Sequence, residues 1–262
     1  MPRHELSYGR EDSCTPKEIV RNLRNLPLHN PLRTDFEYCN IMYIAASYAL
    51  EVAYGKSFAE YMRELLWGLL GMNDTYASLS GVEAAGRDDN IARGYTWSKL
   101  FQEGDGEYMA EEDEDLLGVS GAGAVMSTAD DYAKWMRALL FGSGPLTAEI
   151  TKHLWTPRSI PGVADQDGRP FDGIVVYCLG WFKANYRGHE VIRHEGDVPG
   201  FGSTVLLLPT QKWSVSFFTN GTGSASTLQS LLFSLVDDLL EVPDKERVFD
   251  SVEARYAWDA GQ

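Results

Sequence analysis

Cysteine is scarce in this sequence, and its spacing argues against two kinds of scaffold. The three cysteines, Cys14, Cys39 and Cys178, form no Cys-x-x-Cys pair and no set with zinc-ligand spacing. An odd, widely spaced set disfavours both a disulfide framework and a structural zinc site, so we expect reduced thiols. No metal and no other cofactor is predicted.

Long apolar runs are also missing. No stretch approaches the ~18 uninterrupted apolar residues that a membrane-spanning helix needs. The start of the sequence, MPRHELSYGRED, has no apolar core and does not resemble a signal peptide. We therefore predict a cytoplasmic location and no membrane partner.

Basic residues are few compared with acidic ones. There are 23 Lys and Arg against 38 Asp and Glu, which gives a formal net charge of −15. Nucleic acids and anionic lipids are bound through clustered Lys and Arg, so this balance argues against both as partners. Segment 103–115 alone has eight carboxylates and no basic residue. Like charges repel and extend, which favours a solvated surface loop over a cation site.

What the sequence does contain is the pattern of a folded α+β protein. Apolar residues make up 44% of the chain, and in its first part they recur at helical spacing after start signals at Thr15, Asn40, Ser57 and Thr128. Consecutive β-branched and aromatic runs then predict an antiparallel meander and a final amphipathic helix over about 226–240. The runs are 174–184, 190–194, 202–208 and 213–219. The predicted organisation is a mostly helical lobe over 1–160, an antiparallel β-sheet with a closing C-terminal helix over 161–245, and a tail over 246–262.

Three segments contain residues that could carry chemistry, and each alone has an ordinary structural reading. In the first, Tyr38-Cys-Asn40, Asn40 could cap the helix that follows and Tyr38 could be an ordinary packing residue. The second, Gly-Val-Ser-Gly-Ala-Gly over 118–123, lacks the preceding strand and the GxxxxGK[ST] pattern of a phosphate loop. The third contains His189 and His194, whose spacing is one residue too long for the HExxH zinc helix. In a strand, an offset of five residues places two rings on opposite faces.

Taken together and in order, these segments resemble the serine β-lactamase, penicillin-binding-protein and related esterase superfamily, especially its class C-like branch. Tyr38-Cys-Asn40 opens a helix, and the glycine-rich run leads into Ser-Thr-Ala-Asp-Asp over 127–131. Gly-Trp-Phe over 180–182 precedes His194-Glu-Gly196 and then Pro-Gly-Phe over 199–201. The resemblance covers nearly the whole chain. It implies a β-lactamase/transpeptidase-like fold, with an antiparallel sheet flanked by helices and a helical lobe.

The resemblance also implies roles for particular residues. Tyr38 would be the general base or acid, and Asn40 would contact the substrate or the family's catalytic lysine. His194 and Gly196 would border the substrate-binding strand, and the backbone N–H of Asp197 would donate to a developing oxyanion. The implied partner is a small-molecule acyl substrate such as an ester, amide or lactam.

The sequence departs from the family pattern at the nucleophile. No serine has a lysine three residues after it, so the family's Ser-x-x-Lys motif is absent. In the family this motif lies well upstream of Tyr-x-Asn, so we expect the N-terminal strands and the nucleophile helix to be missing. Ser120 and Ser203 have glycine-rich surroundings, but neither forms a Gly-x-Ser-x-Gly elbow. A tyrosine with an ordinary pKa of about 10 is also ionised too weakly at pH 7, at a cost of roughly 4 kcal/mol, unless lysines assist it.

Two functions therefore remain open. The chain is either a serine hydrolase or acyltransferase of this superfamily, inactive because its Ser-x-x-Lys motif is absent, or a pseudoenzyme. The pseudoenzyme would bind a ligand or assemble with a partner. If covering segments are missing, exposed apolar surface also predicts self-association.

Overall fold

The computed structural model describes residues 15–31, 33–98, 106–112, 115–162 and 170–247. The chain divides into two compact units, residues 1–91 with 113–150 and residues 92–112 with 151–262. Segment 92–112, which the sequence analysis placed in the helical lobe, thus belongs to the second unit. Cys14 and residues 103–105 and 113–114 of the acidic segment lie outside the described residues.

The first unit is built from helices. Its elements are α1 (Pro16–Asn22), α2 (Asn40–Tyr54), α3 (Phe58–Met62), α4 (Gly68–Leu70), α5 (Leu79–Ala84) and α6 (Ala129–Phe141), and α7 (Ala148–Leu154) crosses into the second unit. A π-helical turn, Arg63–Trp67, joins α3 to α4. Thr15, Ser57 and Thr128 each accept a hydrogen bond from a backbone N–H in the first turn of the helix that follows. These caps confirm the predicted helix starts.

Two apolar clusters stabilise the first unit. One packs α1 against α2 through Ile19, Ile41 and Ile44. The other centres on Trp67 and Met72 around the π-helical turn. Both bury the faces that helical spacing selects, as expected for amphipathic helices.

The second unit contains a five-stranded antiparallel sheet whose strands lie side by side in chain order. They are β3 (Val176–Tyr177), β4 (Phe182–Tyr186), β5 (His189–Val198), β6 (Phe201–Leu208) and β7 (Trp213–Thr219), followed by α8 (Ala225–Leu239). The predicted meander and closing helix are confirmed, and with them the α+β fold. The first predicted strand, 174–184, is interrupted, because Gly180 takes a positive φ of 72° between β3 and β4.

A core lies between α8 and the sheet. It includes Leu206 and Leu208 of β6 and Leu232, Phe233 and Val236 of α8.

A short hairpin that the sequence did not predict completes the second unit. Its strands are β1 (Tyr95–Trp97) and β2 (Tyr108–Ala110), the second of which lies within the predicted acidic loop. No helix in the described part of the chain is long and apolar enough to cross a membrane. Cys39 and Cys178 are buried and are not joined in a disulfide.

Candidate active-site segments

Tyr38 and Asn40 lie together at the start of α2 in the first unit. Cys39 is the N-cap residue, and its side chain makes no capping hydrogen bond. Asn40 is already the first helical residue, so it does not act as the N-cap. The capping alternative for Asn40 is therefore wrong. Tyr38, directly before the cap, is half-buried.

The loop before Tyr38 is closed by the carboxylate of Glu37. This carboxylate contacts Nδ1 of His29 and accepts a hydrogen bond from Nδ2 of Asn30 at 3.1 Å. The hydrogen bond with His29 lowers the pKa of Glu37. These contacts join the two ends of segment 29–37 and fix how the chain enters α2.

The glycine-rich segment is a packing element against α2. Residues Leu117–Ala122 form a 3₁₀ helix. A Cβ added to Gly121 would lie 2.2 Å from Oγ of Ser47 on α2, so only glycine allows this close approach. The hydroxyl of Ser120 is buried and donates to the carbonyl oxygen of Ala77 at 2.8 Å. This geometry suits a structural hydroxyl and not a nucleophile facing a substrate.

The acidic pair that follows has a clear structural use, which sequence reasoning did not identify. The Asp131 carboxylate is buried and accepts from the backbone N–H of Asp74 at 2.7 Å and from Oγ1 of Thr75 at 3.0 Å. Lys134 donates to its other oxygen at 2.7 Å. Burial alone would raise the pKa of Asp131, but these hydrogen bonds and the Lys134 charge hold it below its ordinary value. Asp131 thus joins α6 to the turn before α5.

The other predicted site residues, His194, Gly196 and Asp197, lie together on β5 in the second unit. The β4–β5 register ends at the pair Phe182–Arg193, whereas the β5–β6 register continues to Val198. Along residues 195–198, the side of β5 that faces away from β6 therefore has no strand partner within the described residues. We call this side the open edge of β5.

The sheet register shows which backbone groups face the open edge. A two-residue turn, 199–200, closes the hairpin on the pair Val198–Phe201. Such turns close on a hydrogen-bonded pair, and in antiparallel ladders alternate residues direct their N–H and C=O groups to the same neighbour. Gly196 consequently faces β6, and the hydroxyl of Ser203 on that strand donates to its carbonyl oxygen at 3.4 Å. Asp197 directs its backbone N–H to the open edge, as an oxyanion donor requires.

His194 is half-buried beside this edge. Its ring lies 5.7 Å from the ring of Phe182, and its Nδ1 lies 2.5 Å from the carbonyl oxygen of Glu195. Burial lowers the pKa of His194 to about 4, so the imidazole is neutral at pH 7. The ring therefore brings no positive charge to the open edge of β5.

The turn after the open edge is held by the β1–β2 hairpin. Gly94 and Gly200 approach so closely that a Cβ on Gly94 would lie 2.9 Å from Cα of Gly200. The backbone N–H of Gly200 donates to Oγ1 of Thr222 at 2.7 Å, and the N–H of Thr222 donates to the carbonyl oxygen of Tyr95 at 2.9 Å. These contacts link the turn, β1 and the end of β7, and they fix the last residues of the open edge.

Among the described residues, no group of three or more His, Cys, Asp and Glu side chains could hold a metal ion. His189 and His194 both lie on β5, five residues apart. Their rings therefore project from opposite faces of the sheet.

Comparison with known proteins identifies relatives along most of the chain. A family model described as β-lactamase matches residues 2–235. Unguisins hydrolase ungD′ of Aspergillus campestris is 34% identical over 251 residues, and unguisins hydrolase ungD of Aspergillus violaceofuscus is 31% identical over 265 residues. Each match covers 94% of this chain but only 45% or 46% of the relative, so the chain spans about half the length of these relatives.

Among solved structures, the octameric penicillin-binding protein homologue from Pyrococcus abyssi shares the fold with a TM-score of 0.73. The sequences are 21% identical, and the match covers 92% of this chain and 51% of that one.

Proposed function

Because the chain belongs to the β-lactamase family, we propose that it provides the acid–base and substrate-binding part of a hydrolase acting on ester, amide or lactam bonds. The observation that carries the proposal is the open edge of β5. An exposed strand edge binds an extended amide through main-chain hydrogen bonds. Here the N–H of Asp197 and the N–H and C=O of Glu195 point outward at the position where the family motif expects substrate.

The remaining roles follow from the family motifs. Tyr38 transfers a proton to or from the reacting group, and Asn40 contacts the substrate. The N–H of Asp197 stabilises the oxyanion that develops when the carbonyl is attacked. His194 and Gly196 border the bound acyl group. Gly196 adds no side chain that would obstruct it.

The nucleophile is the missing part of this chemistry. The 262 residues contain no Ser-x-x-Lys, Ser120 is buried, and the hydroxyl of Ser203 donates to Gly196. Loss of the nucleophile from a catalytic triad costs on the order of 10⁶ in rate, which sets the scale of the expected deficit. We propose that this chain alone forms no acyl-enzyme and does not turn over substrate.

Covalent probes test this directly. A fluorophosphonate and a β-lactam probe are incubated with the purified chain, and intact-mass spectrometry reads the adduct. We expect no labelled serine, and a stoichiometric adduct on any serine of the chain would refute the proposal.

The same chain preceded by a Ser-x-x-Lys-bearing segment from a curated relative is then assayed on p-nitrophenyl esters. We expect hydrolysis that Tyr38→Phe reduces at least about a hundredfold, because acid–base catalysis contributes about 10²–10⁴ in rate. Tyr108→Phe is the control, because the side chain of Tyr108 is 70% exposed on the β1–β2 hairpin. Equal activity in the two variants would remove Tyr38 from the mechanism.

The second candidate is a pseudoenzyme that binds acyl compounds without cleaving them. The open edge is present although the nucleophile motif is absent, and this combination favours a binding role. If the chain with the added segment binds ligand at β5 but hydrolyses no ester or amide, the pseudoenzyme is the better description.

A further inference from the structure

An ion pair between buried Arg193 and half-buried Glu195 lies behind the open edge of β5. Arg193 is only 3% exposed, and its guanidinium lies 5.0 Å from the ring centroid of Phe171 and 5.4 Å from that of Phe182. Its Nη1 pairs with the carboxylate of Glu195, two residues along the strand on the same face. Gln229 of α8 donates from Nε2 to the same carboxylate oxygen at 3.2 Å. Residues on either side of His194 are thus tied to each other and to α8.

This pair is poorly explained as a stabilising element. Nε and Nη2 of Arg193 are buried and have no hydrogen-bond partner within the described residues. Unpaired buried N–H groups are costly, and apolar residues of similar volume often stabilise a core as well as a buried ion pair does. A role in positioning accounts for the pair better than stability does.

The group that the pair can position is the peptide carbonyl of Glu195. Nδ1 of His194 lies 2.5 Å from this oxygen. A carbonyl oxygen only accepts hydrogen bonds, so Nδ1 must carry the proton and donate it. In a neutral imidazole the other ring nitrogen, Nε2, is then the acceptor. The ring of Phe182 contacts both the guanidinium and the imidazole, which limits how either can rotate.

We propose that Arg193, Glu195 and Gln229 are positioning residues that hold His194 as the Nδ1-protonated imidazole, so that Nε2 accepts a hydrogen bond from the acyl substrate. The substrate part of this inference rests on the proposed function. Burial supports it, because the lowered pKa of His194 keeps the ring uncharged near neutral pH. The site therefore selects uncharged acyl compounds with an N–H or O–H donor over compounds with a carboxylate.

The tautomer is measured without any need for turnover. The full chain is labelled with ¹⁵N-histidine, and the shifts of the two ring nitrogens of His194 are assigned at pH 7. We expect a single Nδ1-protonated form, whereas the exposed His153 provides the reference for a tautomer mixture. A predominantly Nε2-protonated His194 would overturn the proposal.

Two variants then test the positioning role. Gln229→Leu removes only the contact with α8, and the double variant Arg193→Met with Glu195→Gln removes both charges while keeping volume. We expect each to shift His194 towards the mixture seen for His153, with the cooperative urea unfolding transition retained. If both variants fold and the tautomer stays unchanged, these residues do not position His194.

Ligand class is tested with N-acetylalanine amide and N-acetylalanine, which differ in the carboxylate. Their affinities are read from the backbone amide shifts of Gly196 and Asp197. We expect the amide to bind at least about tenfold more tightly, equivalent to 1.4 kcal/mol, and His194→Lys to reverse the preference. Equal affinities would overturn the selectivity. No shift with either probe would count against the proposed function and leave the tautomer result intact.

Discussion

The loss of one hydroxyl at Tyr186 should destabilise the second unit by a predictable amount. Tyr186 and Asp237 are each 1% exposed, and the phenol donates to Oδ1 of Asp237 at 2.6 Å. Nε of Arg187 donates to the same oxygen at 2.9 Å. Burial, followed by the contact with Asp237, raises the pKa of Tyr186 above its ordinary value, so the phenol stays protonated as the donor.

The magnitude follows from the charge of the acceptor. A hydrogen bond to a charged group contributes about 1.5–3 kcal/mol. Tyr186→Phe removes one such bond but leaves Asp237 paired with Arg187, so we expect a loss of about 2 kcal/mol of unfolding free energy. For a chain of this size, that loss lowers Tm by about 4–8 °C.

Urea unfolding followed by tryptophan fluorescence measures the change, with Tyr108→Phe as the exposed control. The control should change stability by less than about 0.5 kcal/mol. A double-mutant cycle of Tyr186→Phe with Asp237→Asn should show a coupling energy of at least about 1 kcal/mol. Strict additivity, or a Tyr186→Phe variant as stable as the control, would refute the reasoning.

Three further outcomes are expected. Gly121→Ala should lower the free energy of unfolding by about 1–3 kcal/mol through overpacking. Ser47→Gly in the same chain should recover part of that loss, because the Ser47 side chain is the nearest obstacle to the added methyl group. Unfolding curves that show no recovery would contradict the geometry. Asp131→Asn should lower stability at pH 7 by about 2 kcal/mol. The folded-state pKa of Asp131 is lowered, so its contribution is present above about pH 4 and lost as the pH falls further; a stability–pH profile that is equally steep in the variant would contradict this. Finally, α2 exposes apolar residues including Leu50, and we propose that the chain self-associates through them. In sedimentation velocity, Leu50→Glu should shift the population towards monomer, whereas the loop control Leu28→Glu should not. A wild-type chain that is monomeric at every concentration would count against this.

Local signals made much of the first unit predictable. Helix starts at Thr15, Ser57 and Thr128 depend on a side chain that accepts from an N–H within the same turn, so a few neighbouring residues encode them. The same holds for the strands of the meander, because two-residue turns and β-branched runs are local features. The Pro199–Gly200 turn is one such case.

The features that the sequence did not reveal depend on distant contacts. The strands β1 and β2 have three residues each and are separated by acidic residues, so no alternation marks them. Gly94, just before β1, packs against Gly200, more than a hundred residues away. Arg193 and Glu195 would suggest a solvated strand face from sequence alone, because only the packed structure shows that Arg193 is buried and Glu195 half-buried. On β5, the motif predicted His194, Gly196 and Asp197, but it could not predict the tie to α8.

The path of the chain between its two units has consequences for synthesis. The chain crosses between units three times, at residues 91–92, 112–113 and 150–151. As it leaves the ribosome, the β1–β2 hairpin emerges roughly a hundred residues before β5–β7, and at about 5–20 residues per second it waits about 5–20 seconds for them. During that interval a hairpin of two three-residue strands has little stability of its own. A nascent-chain chaperone should therefore contact residues 92–112 for longer than it contacts the helices on either side.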